Sequence, residues 1–174
     1  DSVYVLSKDG DDAYEPTDRF LLARAHRDRL RERDGWEYFS GTAEAPRWSH
    51  DIADRSAVFE HPGRAYRIGV THNAGLGRYL LVAILPEGEP RFAGGFGLYE
   101  APEPWGPWHT VYFTEKWDVG PGDASSLPTM WMSRDGQTCQ LAFAGDDCLS
   151  VRQVRFSRVP EALSLKADRK DGTV

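Results

Sequence analysis

Gly97-Leu98-Tyr99-Glu100-Ala101-Pro102-Glu103-Pro104-Trp105-Gly106-Pro107-Trp108 is the stretch whose reading decides the fold. A strand-like run around Phe96, Leu98 and Tyr99 ends in a corner of three prolines, one glycine and two tryptophans. Pro102, Pro104 and Pro107 fix φ and remove backbone donors, so the strand cannot continue as a central ladder. Trp105 and Trp108 each bring a large apolar body and one N–H that wants a partner. The corner reads as the turn between the two outer strands of a β-repeat, with both tryptophans packing repeat edges rather than stacking on a ligand.

Strand signals extend outward from this corner. Arg67–His72 is followed by the turn cluster Asn73-Ala74-Gly75-Leu76-Gly77, rich in residues that tolerate positive φ. Arg78–Leu85 (RYLLVAIL) is a β-rich apolar run, Pro86–Pro90 a loop, Phe96–Glu100 a third strand and Thr110–Thr114 a fourth. Residues 66–114 thus have the content of one propeller blade. The next segment repeats the logic, with strands expected at Thr129–Ser133, Cys139–Ala144 and Leu149–Phe156. The N-terminal segment offers Val3–Leu6, a polar loop, Arg19–Ala25 with a short helix over 26–33, and Trp36–Phe39. Aligned by strand pairs, Val3 begins a second strand, so the first repeat lacks its innermost one. A rival register matches Ser7-Lys8-Asp9-Gly10 to Ser133-Arg134-Asp135-Gly136. The expectation is an all-β chain: a partial β-propeller of about three blades over 1–158, with a polar tail at 159–174.

The chain has 174 residues, enough for one sizeable core. A net charge of −6 argues against nucleic acid as a partner. The densest basic run, Arg24 to Arg33, is interleaved with Asp28 and Glu32 and reads as a solvated surface. No run of about 18 apolar residues indicates a membrane span, and no secretory leader is evident. Cys139 and Cys148 are expected on paired strands, with Phe143 opposite Cys148 and Cys139 opposite Arg152. That register holds the sulfurs roughly 13 Å apart, too far for a disulfide. Free thiols and the missing leader favour a cytoplasmic location.

With these strands placed, the chain resembles bacterial five-bladed β-propeller proteins of the glycoside-hydrolase-like kind, including the DUF4185 domain. The segments that carry the resemblance are Asp18–Arg33, Trp36–Gly41, Ala57–Leu81, Phe96–Trp108 and Thr129–Phe156. The resemblance implies cleavage of polysaccharides by paired carboxylates. It departs in size, because a five-bladed member needs about twice this length. An open array exposes sheet edges and the apolar flanks of its end blades. Two copies closing into a six-bladed ring would hide both, so a homodimer is expected.

Propeller ligands bind at the channel mouth, reached by the innermost strands and the loops that lead into them. Here that points to Glu60-His61-Pro62-Gly63-Arg64, Tyr66–His72, Asp118–Pro128 and Trp131. Glu60 and His61 offer an acid and a base; against this, Glu60 with Arg64 or Arg67 is an ordinary ion pair. Glycosidase chemistry needs two carboxylates facing one bond, and the pool is Asp18, Glu60, Glu100 and Asp123, with Glu100 placed low. The expected catalytic residues are Glu60, His61, Asp123 and Asp18, with Arg67, Tyr66, His72 and Trp131 binding substrate. Within Tyr66–His72, Arg67, Gly69 and Thr71 share one face, and Tyr66, Ile68, Val70 and His72 the other. His50, Asp51, His61 and His72 match no compact zinc spacing. Asp9-Gly10-Asp11-Asp12 has the acidity for Ca²⁺ but lacks the later Glu of an EF-hand loop. No GxSxG, phosphate-binding loop or dinucleotide fingerprint is present. The leading reading is a hydrolase acting on a glycan. The alternatives are a Ca²⁺-dependent ester or phosphoester hydrolase on a dimeric propeller, and a non-catalytic carbohydrate-binding module.

Overall fold

A computed structural model describes residues 1–87 and 92–157. The expected tail at 159–174 and the end of the loop at Pro86–Pro90 lie outside the described residues. Twelve strands form three antiparallel sheets, and among the described residues there is no α-helix.

The central sheet carries the blade pattern. β6 (Arg67–Asn73), β7 (Arg78–Pro86), β8 (Gly94–Ala101) and β9 (His109–Thr114) pair in sequence order. Leu80 to Leu85 are all buried, which explains an apolar run with no alternation: β7 is covered on both faces. One face presents Leu80, Val82, Phe96 and Leu98 to the third sheet, and the other presents Leu81, Ala83 and Tyr99 to the first.

The third sheet is β10 (Ser125–Ser126), β11 (Thr138–Phe143) and β12 (Ser150–Arg155). Its Cys139, Leu141 and Phe143 complete the core with Leu127. The strand expected at Thr129–Ser133 is instead a 3-10 turn at Thr129–Trp131, and the short innermost strand lies just before it. Pro128 at the mouth of that turn fixes the backbone and denies the ladder a donor. Phe143 pairs with Ser150 and Cys139 with Val154, because the turn at Gly145–Asp147 takes Asp146 and Asp147 through positive φ and displaces the register expected for Cys148. Both thiols are free; burial pushes the Cys139 thiol up, whereas Cys148 is exposed.

In the first sheet, β1 (Ser2–Lys8), β2 (Thr17–His26), β3 (Trp36–Phe39) and β4 (Trp48–Ser49) pair in order. The segment 26–33 forms 3-10 turns at Arg27–Arg29 and Arg33–Gly35 rather than a longer helix. β5 (Ala57–Ala65) returns along the same edge of β2 that β3 uses. Lys8 lies over Tyr66 at the start of β6, while Tyr4 shares a cavity with His72 at its end. β1 therefore runs against β6 and along β7, the direction of a second strand. The first sheet has no innermost strand among the described residues.

The Pro–Trp corner packs outward from the central sheet onto the first. The Trp105 ring lies 5.9 Å from Trp48, and 6.4 Å from both Phe39 and Tyr4. Trp108 joins the cluster of Leu81, Ala83 and Tyr99. Both tryptophans bind sheet to sheet at the outer strands.

Candidate functional site

One rim gathers most of the expected site residues. There β1 ends, β2 begins, β5 ends and β6 begins, and the segment before β10 comes alongside. Thr17 pairs with Ala65 across β2 and β5, and its hydroxyl donates to the Ala65 carbonyl at 3.2 Å. Between the pairs Thr17–Ala65 and Arg19–Glu60 the register slips. Asp18 bulges on one strand, and His61 to Arg64 bulge on the other. Gly63 allows this with φ +69, and the Asp18 carboxylate accepts its N–H at 2.8 Å.

The bulge opens a groove of about 540 Å³ lined by Asp9, Thr17, Asp18, Arg19, Glu60 and Pro62. Asp18 and Glu60, far apart in sequence, thus face one space. At its floor Asp9 accepts from Arg19 (2.7 Å) and from Arg55 (3.2 and 3.1 Å). Burial pushes the Asp9 carboxyl up, but the two guanidiniums outweigh it and hold it below its ordinary value. Asp9 is therefore not a free oxygen ligand. Among the described residues no three His, Cys, Asp or Glu side chains converge as a metal site.

Beside the groove stands an aromatic and cationic cluster. The Arg67 guanidinium lies 5.2 Å from the centre of the Tyr66 ring and 5.5 Å from that of Tyr14, and Lys8 lies 5.5 Å from Tyr66. The Tyr66 hydroxyl is 3.4 Å from Asp123. Burial, then the charge of Arg67, lowers the Lys8 ammonium, while Asp12 and Glu15 oppose the shift. Lys8 also donates to the Glu15 carbonyl.

Three expected members fall elsewhere. His61 follows Glu60 along one strand, so it points away from the groove. Its ring sits 6.0 Å from Phe113, where burial and then Arg64 lower its pKa against the opposing charge of Glu115. Arg64 pairs with Glu115 rather than with Glu60. The acid–base pair expected of Glu60 and His61 is not formed. His72 packs in a tilted pair on Tyr79, its cross-strand partner, at 4.8 Å. With Tyr4, Leu6, Ile68 and Val70 it lines a separate cavity of about 250 Å³ at the other end of β6. Trp131 stands exposed on the 3-10 turn, because the strand meant to aim it inward is absent. Glu100 is ion-paired with Arg78 at 3.0 Å. His50 bonds the Trp36 carbonyl at 2.9 Å, and Asp51 accepts from the Ala53 N–H. Lys8 and Tyr14 escape the sequence reading; a lone tyrosine inside the polar loop 9–17 was the available signal.

No family model matches the chain, and no curated protein is significantly similar to it. The likeness to DUF4185 domains rests on the quoted motifs alone. Among solved structures, the chain is similar to an exo-β-1,3-galactanase from Phanerochaete chrysosporium, determined with β-1,3-galactotriose. The match has 15% identity and a TM-score of 0.33, covering 87% of this chain and 31% of the galactanase. The chain thus spans less than a third of that structure, and a likeness so distant assigns no activity.

Proposed function

We propose that this rim binds a glycan and hydrolyses it, with Asp18 and Glu60 as the working carboxylates. One observation carries the reading: the two carboxylates line a single open groove beside a tyrosine–arginine cluster. Glycoside hydrolysis asks for two carboxyl groups flanking one bond, and tyrosine faces pack well against sugar rings. Glu60 is the proton donor, since it is the carboxylate with no hydrogen bond among the described residues. Asp18, held by the Gly63 N–H, is the fixed anion opposite. Asp123 orients Tyr66. The test is turnover of an aryl-glycoside panel. Glu60→Gln and Asp18→Asn should each lower kcat/KM about 10²–10⁴-fold, the span of a lost general acid or base. Full activity in both variants would overturn the assignment. A non-catalytic carbohydrate-binding module is the second reading, favoured by the exposure of Glu60. It requires calorimetric binding with no turnover.

A homodimer is proposed as the way the first sheet is completed. Among the described residues β1 has no ladder partner on its inner edge. Val3, opposite buried Ala25, and Val5, opposite Ala23, are both exposed. The outer face of the third sheet pairs Gln140 with Gln153 and Thr138 with Arg155. The same face of the third sheet also pairs Ala142 with the exposed Val151; a second copy meeting the first sheet through its own first sheet makes an isologous contact.

A further inference from the structure

We propose that the sugar taken at the Tyr14–Tyr66 end of the site carries a carboxylate, as a uronic acid residue does, and that Arg67 with Ser125 binds it. The inference rests on the glycan reading above.

Arg67 differs from its neighbours. Arg19, Arg24, Arg55, Arg64, Arg78 and Arg152 all have carboxylate partners. Half-buried Arg67 makes no ion pair among the described residues, and its Nε is buried with no hydrogen-bond partner. The Ser125 hydroxyl is likewise buried and unpartnered. The two belong to one place. Arg67 and Gly69 share a face of β6, and a methyl group at Gly69 would strike the Ser125 carbonyl. An unsatisfied buried donor costs roughly 1–3 kcal/mol, more when charged, and a ligand acceptor removes that cost. A planar carboxylate fits a guanidinium fork, and the Tyr66 and Tyr14 rings both lie near this one. Lys8 adds a second cation over Tyr66. Of the acids nearby, Asp123 faces the Tyr66 hydroxyl, the chain turns Asp12 back to its own Tyr14 N–H at 2.7 Å, and Glu15 acts on Lys8. Tyr14 is 74% exposed, leaving a ring face open to a sugar.

The experiment is calorimetry on the intact protein with three probes: an oligogalacturonate, its methyl ester, and a neutral galactan oligomer of equal length. The acid should bind at least tenfold tighter than the ester, with that advantage lost in Arg67→Met and partly kept in Arg67→Lys. Equal binding of acid and ester overturns the carboxylate inference and leaves the glycan reading standing. Binding of none overturns both. The ester comparison uses the unaltered protein, so a poorly folded variant cannot obscure the result. Preference for a sulfated oligomer over the uronate also counts against it, because a tetrahedral anion does not need the planar fork.

Discussion

Asn73 shows how single side chains join the sheets. It is fully buried, donates to the Gly136 carbonyl at 2.9 Å, and accepts from the Leu76 N–H at 3.1 Å. Gly136, at φ +72, brings its backbone so close that any side chain there would strike the amide. Asn73→Ala strands two buried backbone groups and should cost about 2–3 kcal/mol, read from urea unfolding. Asp9 carries a pH signature. Its carboxyl is held below the ordinary 3.8, so its stabilisation is complete above that value and fades as pH falls through the lower folded value. Asp9→Asn should weaken the fold at neutral pH and flatten the acid limb below about pH 4. The turn residues around Asn73 were legible as a turn. The clasp to Gly136 was not, because nothing local announces a partner so far along the chain.

Elements were legible where their pattern is driven by burial on both sides. The run at Arg78–Leu85 could only be an interior strand, and the Pro–Trp corner could only leave the ladder. What failed was weakly patterned. Trp131-Met132-Ser133 has strand-forming residues, yet Pro128 and the packing of Leu127 close the strand earlier. The site suffered most at bulges. Glu60 and Asp18 were foreseeable as carboxylates, but only the register slip between β2 and β5 sets them on one groove. His61 is lost to strand alternation. The corner itself is testable: Trp105→Ala removes contacts to Tyr4, Phe39 and Trp48, and should destabilise by about 3 kcal/mol in the same unfolding assay.

At the scale of the whole molecule, the outer two sheets bury β7 and β8 of the central sheet and leave its last strand, β9, exposed. Light scattering should give twice the chain mass, and Val5→Lys should return the monomer by placing a charge on the apolar face. A monomer for the unaltered protein at tens of micromolar would contradict the isologous contact. The proposed site lies where the sheets' ends meet, and its location is the central claim. Amide chemical-shift mapping of the labelled protein with a uronate-containing oligosaccharide tests it most directly. The expected result is shifts at Asp18, Gly63, Tyr66, Arg67 and Asp123, with His72 and Trp131 unmoved. Shifts centred on the His72–Tyr79 cavity or on Trp131, with the rim silent, would contradict it.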